Sequence, residues 1–126
     1  RTLLAEDFET AIDVLHGEDV LFHDAGERPL THSRETMRAA GQAVVRRDFL
    51  ACHGFDVRDR LGEVDVPALA IVGEDDRLTP PAYHRTLADE LPDCRYAEIE
   101  DAAHLAMLDQ PAAFNAALAG FFEEIY

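Results

Sequence analysis

Pro67-Ala-Leu-Ala-Ile-Val-Gly-Glu-Asp-Asp-Arg-Leu-Thr-Pro80 opens the half of the chain that decides the fold. Ala68 to Val72 is an unbroken apolar run of the length expected for a strand covered on both faces, and Gly73 stops it. Thr79, Pro80 and Pro81 then start a helix, since proline is tolerated in a first turn whose N–H groups have no intrahelical acceptor. Leu87 and Leu91 mark the buried side of that helix, and Pro92-Asp93 ends it. Tyr96 to Glu100 alternates weakly, with Ala97 and Ile99 on one side, and predicts a second strand. A last helix opens at Pro111 and carries Phe114, Leu118, Phe121 and Phe122 as a core stripe at helical spacing. Strand, crossover helix and strand predict one right-handed βαβ unit with a parallel pair, so the fold class is α/β.

Upstream of Val64-Asp-Val-Pro67 the pattern is helical. Leu4, Phe8, Ile12 and Leu15 form one apolar stripe of an amphipathic helix ending near Gly17. Phe22 to Leu30 reads as a loop, and Ser33 as the N-cap of a second helix running through Met37, Ala40, Val44 and Phe49. A short helical segment around Val57 to Leu61 completes a first half with no predicted strand.

The 126 residues are 48% apolar, enough for one domain with a modest core, and show no repeat or low-complexity tract. Twenty-six acidic against 11 basic residues give a net charge of −15, and every cation is arginine. A basic face for nucleic acid is therefore not expected. The acids are spread along the chain, which fits either a carboxylate surface that stays soluble in concentrated salt or simply an acidic protein. The apolar runs are far shorter than the ~20 residues that span a membrane, and the acids near Arg1 do not suit a signal peptide, so a soluble cytoplasmic protein is expected. Cys52 and Cys94 lack metal-type spacing and read as free thiols of a reducing compartment. His16, His23, His32, His53 and His84 show no metal-binding spacing and suit surface or cap positions, so neither metal nor cofactor is expected. Cys52 and His53 are neighbours whose side chains diverge, which argues against a nucleophile pair.

In an open parallel sheet, reactive side chains collect in the loops at the carboxyl ends of the strands. Two loops qualify here, Gly73 to Pro80 and Asp101 to Pro111. With their strands side by side at about 4.8 Å, an acid of the first loop reaches His104 of the second. A carboxylate-held imidazole is the orienting half of a nucleophilic triad. On the residues alone Asp75 and Asp76 read as well as solvated loop acids or helix N-terminal charges, and His104 as an ordinary loop histidine.

These two loops resemble the C-terminal third of an α/β-hydrolase. The apolar strand followed by Gly73-Glu-Asp-Asp76 and a proline is similar to the family's acid loop, and Ala102-Ala-His-Leu-Ala-Met-Leu-Asp-Gln-Pro111 to its histidine loop. By position, the resemblance makes Gly73 the turn residue, Asp76 the triad acid and His104 the base, with Asp109 and Pro111 matching the acidic-x-Pro segment that follows. Asp75 stays a surface residue in that comparison. The likeness covers residues 55 to 126 closely, as a C-terminal part of the hydrolase core. Residues 1 to 54 match in character only, as the helical cap or lid inserted ahead of the last strands. The histidine loop is also similar to that of 3-oxoadipate enol-lactonases and small esterases.

The resemblance implies a hydrolase of a small ester or lactone working through a catalytic triad, but the family's nucleophile elbow is not in these residues. The one serine, Ser33, sits in Thr-His-Ser-Arg-Glu without flanking glycines, and no Cys or Asp substitute for Gly-x-Ser-x-Gly occurs. The isolated 126 residues are thus expected to be inactive. Three readings stay open: part of a longer hydrolase, one subunit of a split hydrolase, and a non-catalytic interaction module. In the first two, the strand Ala68 to Val72 pairs along its other edge with a missing N-terminal half or a second chain, because an apolar strand without charges or prolines is a poor natural edge.

Overall fold

The computed structural model describes residue 4, residues 6 to 24 and residues 26 to 126. Its contacts divide the chain into two units, Arg1–Gly17 with Ala25–Asp56, and Glu18–Asp24 with Val57–Tyr126.

The first unit is helical: α1 (Phe8–Leu15), α2 (Glu27–Ala40) and α3 (Gln42–Gly54). Asp7 caps α1, accepting from the Thr10 amide at 3.1 Å and the Thr10 hydroxyl at 2.6 Å. These bonds favour the ionised form and hold the Asp7 carboxyl below its ordinary value. The expected stripe faces inward: Ile12 is fully buried, and Leu4, Ala11 and Val45 form a core with Phe8 and Met37 packed on it.

The second helix differs from expectation in two ways. It begins at Glu27, not after Ser33, taking in Pro29 and half of the predicted loop, of which Ala25 lies outside the described residues. Pro29 falls in the first turn, where its missing N–H costs no helical bond. The helix then stops at Gly41, whose φ of +87° only glycine adopts without strain, so Met37 and Val44 belong to separate helices. Ser33 lies inside α2, and its hydroxyl meets Nε2 of His16 at 2.8 Å. Of the surface or cap positions expected for His16, the structure shows a cap: it ends α1 and is 4% exposed. Its Nδ1 is 2.7 Å from the Ile12 carbonyl, which can only accept, so Nδ1 donates and Nε2 accepts from Ser33.

The second unit runs from a 3₁₀ helix (Arg58–Glu63) into β1 (Ala68–Gly73), α4 (Pro81–Glu90), β2 (Cys94–Ile99), α5 (Ala106–Asp109) and α6 (Pro111–Ile125). β1 and β2 are parallel, with Ala68 opposite Cys94 and Gly73 opposite Ile99. β2 starts ahead of the predicted Tyr96 because the ladder already pairs Cys94. It ends before Glu100 because Asp101 turns the chain at a left-handed φ of +54°, a region Asp tolerates better than most residues.

α4 and α6 both pack on the two strands. Ile71, Phe114 and Ala117 pack against a buried cluster of Ile99, Ala102 and Ala106 on one face, while Ala70 and Val72 are buried on the other. The aromatic stripe of α6 is less buried than predicted. Phe114 joins the core, Phe121 lies 5.7 Å from the Arg95 guanidinium, and Phe122 is 47% exposed. The physical reason is width: two strands about 4.8 Å apart cannot cover the face of a helix roughly 10 Å across. Cys52 and Cys94 are free thiols. Among the described residues no helix is long and apolar enough to cross a membrane.

Candidate active site

The loops that leave β1 and β2 stay laced together beyond the sheet. The Glu74 amide donates to the Ile99 carbonyl and the Asp75 amide to the Ala102 carbonyl, both at 2.9 Å. This approach depends on Gly73. A Cβ there would lie 2.2 Å from the Ala103 carbonyl oxygen and 2.4 Å from that of Ala102. Gly73 is read from the sequence as a turn residue, but here it serves mainly to let two backbones touch.

Asp76 follows, buried, in a loop whose donors converge on it. Oδ1 accepts from the amides of Leu78 at 3.0 Å and Thr79 at 2.9 Å, and Oδ2 from the Thr79 hydroxyl at 3.1 Å. His104 Nδ1 lies 3.0 Å from the same Oδ2. An ionised carboxylate only accepts, so Nδ1 carries a proton, and in the neutral ring Nε2 then keeps its lone pair. The imidazole is 34% exposed against 4% for the Asp76 side chain, so one partner is accessible and the other shielded. An imidazole held this way can take a proton at Nε2, and the resulting cation would face a carboxylate at hydrogen-bond distance.

Asp75 points elsewhere. It is half-buried, with Oδ2 2.9 Å from Nδ1 of His23, whose Nε2 is 3.9 Å from Asp101. Asp75 keeps a partly exposed position, as expected of a surface residue, and its partner is His23. Thr79, read only as the start of a helix, supplies two of the donors on Asp76. A Thr three residues after an Asp is the mark of such a side-chain turn and would have found it. Asp109 is bound to the histidine loop through the Ala103 amide at 2.9 Å. Among the described residues no group of three or more His, Cys, Asp or Glu is arranged to hold a metal ion.

No family model matches the chain. Its C-terminal part is similar to curated hydrolases. It is 41% identical over 71 residues to RutD of Azorhizobium caulinodans, named as a carbamate hydrolase, covering 56% of this chain and 27% of that protein. It is 31% identical over 70 residues to 3-oxoadipate enol-lactonase 1 of Acinetobacter baylyi, covering 56% and 26%. Among solved structures, a thermophilic esterase superposes with a TM-score of 0.81 at 28% identity, covering 97% of this chain and 48% of that one. Bromoperoxidase from Bacillus anthracis gives a TM-score of 0.87 at 19% identity, covering 97% and 46%, which speaks to the fold alone. Fold and sequence together assign the chain to the C-terminal part of the α/β-hydrolase superfamily. It spans about a quarter of the length of these curated relatives and about half of these solved chains.

Proposed function

We propose that the complete protein hydrolyses a small ester or lactone, with Asp76 orienting His104 and His104 acting as general base to a nucleophile outside this chain. The observation that carries this reading is the hydrogen bond between a buried carboxylate and an accessible imidazole at the ends of adjacent parallel strands. The esterase and lactonase likenesses support the substrate class. The chemistry follows from the tautomer. Nε2 takes the proton of the nucleophile as it attacks the acyl carbon, Asp76 stabilises the imidazolium, and the same proton then goes to the leaving alkoxide. Water repeats the cycle on the acyl intermediate.

Residues 1 to 54 serve in this reading as the lid over the substrate, and the free edge of β1 pairs with the sheet segment that carries the nucleophile. Within the described residues the lone serine cannot act as that nucleophile, since its hydroxyl is committed to a histidine that is 4% exposed. The test is His104→Ala and Asp76→Asn in the complete protein, with short-chain esters and lactones as substrates. A loss of about 100-fold or more in kcat for each is expected. Turnover within tenfold of the parent in His104→Ala would defeat the assignment.

A further inference from the structure

The Asp76 bond fixes one ring nitrogen of His104, but the direction of Nε2 depends on the backbone that carries the ring. Both neighbouring amides are tied down. Ala103 N–H donates to Asp109 Oδ2 at 2.9 Å, and Leu105 N–H donates to the Leu21 carbonyl at 2.8 Å. The same Asp109 Oδ2 accepts the N–H of His23 at 2.8 Å. Leu21 and Phe22 are buried, so the segment through His23 is a firm support alongside the histidine loop. His23 in turn reaches Asp75, next to Asp76. The other oxygen of Asp109 is buried with no partner among the described residues, so this carboxylate is not a solvated surface charge.

We propose that Asp109 is a positioning residue for His104. One of its oxygens clamps the amide just before His104 to the amide of His23, and so joins the histidine loop to the segment that also holds Leu105 and Asp75. The proposal rests on the reading of His104 as the base. It assigns Asp109 no contact with substrate. Removing its carboxylate frees two amides and lets the imidazole swing, which spoils the alignment of Nε2 while leaving the substrate's surroundings intact.

The test uses the complete protein with Asp109→Ala, Asp109→Glu and His104→Ala. Turnover of p-nitrophenyl acetate is normalised to titrated active sites, and the low-field proton resonance of the His104 Nδ1–H is followed by NMR, identified by its absence in His104→Ala. Asp109→Ala is expected to lose about 10- to 100-fold in kcat per site with KM changed less than about threefold. Its low-field resonance should broaden or vanish, and Asp109→Glu should restore a large part of both signals. A kcat per site within twofold of the parent together with an unchanged resonance overturns the proposal, as does a loss explained wholly by fewer active sites. If Asp109→Ala does not fold, Asp109→Leu, of similar shape but without an acceptor oxygen, replaces it, and the same pair of unchanged signals is decisive. Undiminished turnover in His104→Ala would remove the general-base reading on its own, while the resonance in the Asp109 variants would still decide whether Asp109 holds the ring.

Discussion

Replacing Gly73 with alanine adds one methyl group where the two site loops touch. The new Cβ would stand 2.2 Å from the Ala103 oxygen, 2.4 Å from the Ala102 oxygen and 2.7 Å from the Ala102 carbonyl carbon. Ordinary contacts lie at about 3.5 Å or more, so the overlap exceeds 1 Å. All three atoms are backbone and no rotamer change moves them. The loops must part, and the bonds from the Glu74 and Asp75 amides, each 2.9 Å, are the first to stretch. Overpacking costs about 1–3 kcal/mol and each lost hydrogen bond about 0.5–1.5 kcal/mol, for a total of roughly 2–6 kcal/mol. A typical domain has only about 5–15 kcal/mol to lose. The Asp76–His104 distance of 3.0 Å opens with the loops, and a displacement of about 1 Å is worth on the order of 100-fold in rate. Urea unfolding and kcat of the complete protein measure both effects. A variant within about 0.5 kcal/mol of the parent and equally active would show that Gly73 is not what lets the loops meet.

Three further outcomes follow from the same geometry. Thr79→Val keeps the shape but deletes the hydroxyl that donates to Asp76 at 3.1 Å; about 1 kcal/mol of stability should go, and turnover should fall several-fold, whereas unchanged kinetics would mean the amides alone hold Asp76. Gly120 sits within α6 with nothing within 4 Å of an added Cβ, so Gly120→Ala should raise stability by about 0.5–1 kcal/mol, and a decrease in urea midpoint would show that this face is covered. Arg95 donates to Glu124 through Nε at 2.9 Å and Nη2 at 2.7 Å and holds its carboxyl below the ordinary 4.5. A depressed carboxyl stabilises the fold above its unfolded value and loses that contribution as pH falls through the folded one. The Tm advantage over Glu124→Gln should therefore be present at pH 7 and shrink below about pH 4.5, and an advantage that grows with acid would contradict the ion pair.

Local pattern by itself determined the order of elements after Pro67, because a strand from Ala68, a helix after two prolines and a phenylalanine-bearing helix from Pro111 each follow from chemistry within a few residues. The same information marked the two loops after the strands, while the choice of Asp76 and His104 within them came from the resemblance to the α/β-hydrolases. It failed where a distant partner overrode the local signal. Ser33 looks like a cap but bonds His16, and the aromatic face of α6 looks like core but finds, among the described residues, a sheet two strands wide. The distances that give the site its chemistry belonged to tertiary structure alone. Nothing near Asp109 in sequence announces that its carboxylate meets the amide of His23, 86 residues earlier, or that Asp75 turns to His23 and leaves His104 to Asp76. Such contacts arise because parallel strands bring remote loops to one end of a sheet, and which oxygen then faces which donor is settled by packing in three dimensions.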